Sequence, residues 1–172
     1  MIKLYLAKCN KKNEHAVGVR LAEYALYDAF TQSSELVYRD NGKPYYKNAD
    51  AYVSISHTDG LCLAAISDTE IGADIEKRGG DPERLIKLAK RYFTETEAAY
   101  VAADPMPRFF EIWCSKESYI KYTGEGFSRP LSSFSLSALP LCFSLSVVGD
   151  CTLAVCSDQP CDMQYAFVEL DE

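Results

Sequence analysis

VSISHTDGLCLAAISDTEIGADIEKR, residues 53–78, decides how this chain folds. Polarity alternates over residues 52–56, Thr58-Asp59-Gly60 is a turn signal, and residues 61–66 form a second run of strand formers. Asp68-Thr69-Glu70 then turns the chain into a third run, 71–76, so the stretch predicts an antiparallel meander. Upstream, residues 2–7 read as a strand and 14–30 as a helix, with Val17, Leu21, Tyr24, Ala25 and Asp28 three or four apart. Asn41-Gly42 is a turn, and Pro44 keeps the chain extended beyond it. Downstream, Gly79-Gly80 ends the meander, and Asp81-Pro82 starts a helix that runs to about residue 92. Thr94 to Glu97 has capping-box form and opens a shorter helix, which residues 104–107 break. Residues 108–122 carry the strongest helical pattern, with Phe109, Ile112, Trp113 and Ile120 as its core face and Gly124 placed to stop it. Residues 134–137, 141–148, 152–156 and 164–169 read as strands. Helices and strands are grouped rather than alternating, which predicts an α+β fold with any lobe boundary near Gly79-Gly80 or residues 104–107.

Composition narrows the function classes. A net charge of −7 over 172 residues lacks the basic footprint of a nucleic-acid binder. The seven cysteines are odd in number, form no CxxC pair and sit partly in apolar runs, so the reading is reduced core thiols rather than zinc or disulfides. The first residues, MIKLYLAKCNKKNE, lack the apolar stretch of a signal peptide, and no run reaches membrane-spanning length; a cytoplasmic protein without membrane contact is expected.

Three constellations carry chemistry. Asp74 and Glu76 are two apart on a predicted strand, so both leave the same face; a hard divalent ion such as Mg²⁺ relieves their repulsion, while a solvated strand face is the ordinary alternative. Glu117 and Lys121 are four apart on the long helix with Lys116 beside them, either a surface ion pair or, next to Trp113, the lip of a cleft. His57 stands among the hydroxyls of Ser54, Ser56 and Thr58, a set suited to a phosphate and equally to a turn cap.

Their order is more telling than any one of them. Residues 53–78 followed by WCSKESYIKYTGEG, residues 113–126, resemble the phosphopantetheinyl transferase superfamily. That family's pattern is a strand ending Ser-His, a Gly-x-Asp-x-Glu strand, and a helix with Trp-x-x-Lys-Glu-x-x-x-Lys. Here these are Ser56-His57, Gly72 to Glu76, and Trp113 to Lys121, preceded by the Gly-Lys-Pro turn Gly42-Lys43-Pro44. The resemblance implies two similar lobes related by a pseudo-two-fold, each a helix on a small antiparallel sheet. An N-terminal lobe over residues 1–79 would hold the first three motifs, and a C-terminal lobe over 80–172 the Lys-Glu helix. It implies transfer of 4'-phosphopantetheine from coenzyme A to a serine of an acyl, polyketide or peptidyl carrier protein, releasing 3',5'-ADP.

The same resemblance implies that Asp74, Glu76 and Glu117 hold Mg²⁺, that Glu117 is the base, and that Lys121 assists the leaving phosphate. Lys116, His57 and Ser56 would contact phosphates, and Lys43 and Pro44 the adenine and ribose, in a monomer. The chain departs from the pattern at Ser54, where the family usually has Asn, and at Ala16, where a helix arginine is expected. Arg20, Arg39 and His15 are not in register to replace that arginine, and the N-terminal lobe reads as short, so no ligand for the 3'-phosphate is implied. Two other classes use the same residues: a non-catalytic module binding coenzyme A and carrier, and a metal-dependent hydrolase of nucleotide pyrophosphates.

Overall fold

A computed structural model describes residues 1–170, apart from the side chain of Phe127. Strand β1 (Ile2–Lys8) is covered on both sides: Tyr5 and Ala7 pack into one apolar cluster, Leu4 and Leu6 into another. Helix α1 (Glu14–Phe30) lies over the first of these faces through Val17, Leu21, Ala22, Ala25 and Leu26. A short hairpin follows, β2 (Leu36–Tyr38) with β3 (Pro44–Tyr46), turned by Gly42 at φ 81°. Then come β4 (Tyr52–Thr58), β5 (Leu61–Ser67) and β6 (Ile71–Lys77).

The expected meander stops after β5. β4 pairs β5, but the other edge of β5 is occupied by β1 over all of Ile2–Lys8, so β6 has no place beside it. β6 instead pairs antiparallel with β8 (Cys151–Ser157), which pairs β7 (Cys142–Val148). The sheets therefore run β4-β5-β1-β9 and β6-β8-β7, with β9 (Tyr165–Phe167) joining β1 in parallel, the one pair in these two sheets that departs from antiparallel. Ile71, Ala73, Ile75, Leu153 and Val155 of the second sheet pack on Leu4, Leu6, Leu63 and Ala65 of the first. The alternation that suggested a neighbouring strand thus serves a face-to-face contact between sheets.

Between β6 and β7 lie α2 (Pro82–Tyr92), α3 (Glu95–Ala103) and α4 (Pro105–Thr123). The first two start where their caps predict: Asp81 accepts from the Arg84 N–H at 3.1 Å, and Thr94 and Glu97 close a capping box. α4 begins earlier than expected, because Pro105 and Pro107 fall in its first turn, where an N–H has no partner to lose. It ends at Gly124, whose φ of 73° suits glycine, with the Gly124 N–H bonded to Ile120 O at 2.8 Å. Residues 134–137 form no strand. Pro130 and Pro140 bracket the segment, and it winds into short 3₁₀ turns in which Ser133 bonds Pro130 O at 2.6 Å. The fold is α+β: α1 covers the first sheet, and α4 lies against β6 and β8 of the second.

Candidate active site

Gly72 brings α4 onto β6. A Cβ built there would sit 1.9 Å from Ser118 O and 2.4 Å from Tyr122 N, so only a residue without a side chain allows this approach. On α4, Glu117 and Lys121 each precede one of these two contact residues by a single position, and alternate residues of β6 supply Asp74 and Glu76. Asp74 is 4% exposed; its Oδ1 accepts from Lys121 Nζ at 2.7 Å and from Ser56 Oγ at 2.8 Å. Its Oδ2 is buried with no hydrogen-bond partner. Burial, and then the Asp74 charge, raise the Glu76 carboxyl to about 7, against the pull of Lys121. Burial and Asp74 likewise push Glu117 up. The structure thus brings Asp74, Glu76, Glu117 and Lys121 together, where spacing alone had offered two separate pairs.

These carboxylates are hard oxygen donors, and an unpaired, buried Asp74 Oδ2 suits a divalent cation such as Mg²⁺. As the side chains stand, no group of three or more His, Cys, Asp or Glu among the described residues is close enough to hold a metal ion. Lys121 sits on Asp74 instead, neutralising charge at the same place.

The remaining expected residues divide. Lys43 and Pro44 line a cavity of about 150 Å³ with Val53, Ser54, Ile120 and Lys121, next to the carboxylates. Lys43 Nζ is spent within the protein, on Glu70 at 2.6 Å and Tyr122 O at 2.5 Å. Lys116 does not face the cleft at all. It is fully buried, and its Nζ donates to Leu131 O at 2.7 Å and Phe134 O at 2.5 Å and pairs with Glu97 at 2.9 Å. Its ammonium lies 4.2 Å from the Phe134 ring centroid, which the Arg129 guanidinium also approaches at 4.8 Å. With these contacts made, a phosphate contact for Lys116 has no geometry. His57 projects from the face of β4 opposite to Ser56, toward α1, with Nδ1 3.5 Å from Glu14. Glu97 and Glu70, which hold the two lysines, were not picked out by sequence; the capping-box position of Glu97 was its only signal.

Comparison with known proteins places the sequence among relatives. Residues 70–148 match the sequence model of the 4'-phosphopantetheinyl transferase superfamily. The chain is 36% identical over 108 residues to 4'-phosphopantetheinyl transferase gsp of Aneurinibacillus migulanus, covering 59% of this chain and 44% of that protein. It is 38% identical over 103 residues to 4'-phosphopantetheinyl transferase Sfp of Bacillus subtilis (strain 168), covering 57% and 45%. The chain thus spans less than half the length of these two relatives. It is 30% identical over 155 residues to 4'-phosphopantetheinyl transferase AcpT of Salmonella typhimurium, covering 83% of this chain and 80% of that protein. From this long match and the acidic strand and Lys-Glu helix meeting at Gly72, the chain belongs to the 4'-phosphopantetheinyl transferase superfamily.

Proposed function

We propose that the chain transfers 4'-phosphopantetheine from coenzyme A to a serine hydroxyl of an acyl, polyketide or peptidyl carrier protein, releasing 3',5'-ADP in a Mg²⁺-dependent reaction. The observation that carries this is the buried, half-satisfied Asp74 carboxylate, with Lys121 on one oxygen and Glu76 and Glu117 nearby. Asp74 Oδ2, Glu76 and Glu117 would hold Mg²⁺, which when bound supplies positive charge against the pyrophosphate oxygens. In the step itself the serine Oγ forms a bond to the β-phosphorus. The bond from that phosphorus to the bridging oxygen breaks, and its electron pair stays on the 5'-phosphate of 3',5'-ADP. Glu117, raised by burial, accepts the serine proton; Lys121 Nζ turns from Asp74 to stabilise the leaving phosphate. The cavity walled by Lys43, Pro44 and Lys121 would seat the nucleotide end.

Residues 1–79 and 80–172 are proposed as the two lobes, with β6 reaching from the first into the sheet of the second. A monomeric, cytoplasmic protein is part of the same proposal; among the described residues no helix is long and apolar enough to cross a membrane. A carrier would dock on the basic outer face of α2, near Arg91 and Arg108.

Mass spectrometry of an apo carrier protein, incubated with the chain, coenzyme A and Mg²⁺, tests the reading. The expected result is the mass gain of a phosphopantetheine arm, with Glu117→Gln slower by about 10²–10⁴-fold. No gain on any of several carriers refutes it. The engagement of Lys43 and Lys116 inside the protein favours one second reading, a non-catalytic module binding coenzyme A and carrier. Carrier binding in calorimetry without release of 3',5'-ADP would select it.

A further inference from the structure

β6 is an edge strand of its sheet, so the N–H groups on the side away from β8 need partners. They find them in side chains. The hydroxyls of Ser54, Ser56 and Thr58, alternate residues of β4, accept from the N–H of Ala73 at 2.9 Å, Ile75 at 3.4 Å and Lys77 at 3.0 Å. A side-chain ladder thereby replaces a backbone ladder along the seam between the two sheets.

Each hydroxyl also has one proton to donate. Ser56 Oγ gives it to Asp74 Oδ1 at 2.8 Å. Ser54 occupies the same rung position but faces Gly72, which has no carboxylate, and its proton goes to Ala73 O at 3.4 Å. The register is regular: hydroxyl i takes the N–H of residue i+19. Lys121 and Ser56 together occupy Oδ1 of Asp74, which leaves Oδ2 unpaired and fixed in direction.

We infer that Ser56 is a positioning residue, which holds the Asp74 carboxylate in place across the sheet seam rather than contacting a substrate phosphate. The kinetic part of this inference rests on the proposed transfer reaction; the metal-binding part does not. It predicts that Ser56 orients the Asp74 ligand of a divalent ion, as hydrogen-bonding partners behind metal ligands do, and that its loss weakens binding by about tenfold or more.

The test uses the full chain with Mn²⁺ as probe, titrated calorimetrically without coenzyme A, alongside thermal unfolding and transfer kinetics. Ser54→Ala, Ser56→Ala and Thr58→Val should all lower the melting temperature, because each removes a rung. Only Ser56→Ala should weaken Mn²⁺ binding, by about tenfold, and Ser56→Thr, which keeps the hydroxyl, should preserve it. In the transfer assay Ser56→Ala should lower kcat with the KM for coenzyme A nearly unchanged. The inference is overturned if Ser54→Ala weakens Mn²⁺ binding as much as Ser56→Ala, or if the wild-type chain binds no Mn²⁺. It is also overturned if Ser56→Ala raises the KM for coenzyme A at constant kcat, which would make Ser56 a phosphate ligand. A wild-type chain that transfers nothing, yet shows the expected Mn²⁺ pattern, sinks the transfer reading and supports this one.

Discussion

Gly72 leaves room for a helix where any other residue would not. Its missing Cβ lets Ser118 O and Tyr122 N of α4 approach β6, and that approach puts Lys121 on Asp74. Gly72→Ala should therefore cost at least the upper part of the roughly 1–3 kcal/mol range for overpacking, because the clash is with backbone that cannot swing away. Transfer activity should fall more steeply than stability as α4 is displaced; urea unfolding and a carrier assay on one preparation check both. Full activity in Gly72→Ala would show that the close contact does not set the site. Two lysines of α4 make the complementary point. Lys116 and Lys121 are five apart, so they leave the helix roughly 140° from one another. One reaches the site, and the other is buried against Glu97, Leu131 and Phe134. Lys116→Ala leaves the Glu97 charge buried and should destabilise the protein by about 3–5 kcal/mol, measured by denaturant unfolding. A loss below about 1 kcal/mol would mean that the pair is loosely held.

The contacts of Glu97 join three elements. Its carboxylate caps α3 through Thr94, pairs with Lys116 of α4, and accepts from the Leu136 N–H at 3.0 Å in the segment that follows α4. Burial pushes its pKa up, but the hydrogen bonds from Lys116, Leu136 and Thr94 outweigh burial and hold it below the ordinary 4.5. The folded state thus favours the ionised form. That stability is fully present above about pH 4.5 and is lost as the pH falls through the lowered folded value. Wild type minus Glu97→Gln, followed as unfolding free energy from pH 7 to pH 3, should shrink in this acid window; a constant difference would remove Glu97 as its cause. The cap at Thr94 was legible in sequence because a capping box is local, and so were α1, α2 and the end of α4 at Gly124. The partner of β6 was not legible. The alternation of Ile71, Ala73 and Ile75 tells which side chains turn inward, but it is equally satisfied by a strand beside β5 and by one packed across from it. What excludes the former is β1, some sixty residues earlier, already lying on that edge. The pairs Asp74/Glu76 and Glu117/Lys121 were each readable from their spacing, but only the resemblance implied that they meet. The burial of Lys116 was not, since it depends on where residues 131–136 fold back.

Across the whole molecule the net charge of −7 is distributed unevenly. α2 turns Leu85 and Ala89 inward and exposes Arg84, Lys87, Lys90 and Arg91, with Glu83 as its acidic residue. Arg84, Lys87 and Arg91 recur at three- and four-residue intervals and so form one stripe. Beside it, Lys90 borders an open groove of about 270 Å³ floored by Phe93, Ala98, Ala99 and Ala102. Arg108 contributes less freely, since it donates to Tyr100 O at 3.1 Å and stacks 4.4 Å from the Tyr100 ring. A basic stripe on an acidic molecule favours an acidic partner, in the proposed function a carrier domain, and opposes docking in other orientations through like-charge repulsion. Lys87→Glu with Arg91→Glu should raise the KM for an acidic carrier by about tenfold or more while leaving the KM for coenzyme A unchanged, because long-range charge acts on encounter rather than on the bound nucleotide. Arg108→Glu should act more weakly. Salt gives a second handle: the wild-type KM for carrier should climb between low and physiological ionic strength, where the Debye length shortens to about 8 Å, and the reversed variant should lose that dependence. If reversal leaves both the carrier KM and its salt dependence unchanged, the carrier docks elsewhere, and the basic face of α2 serves only to solvate the helix.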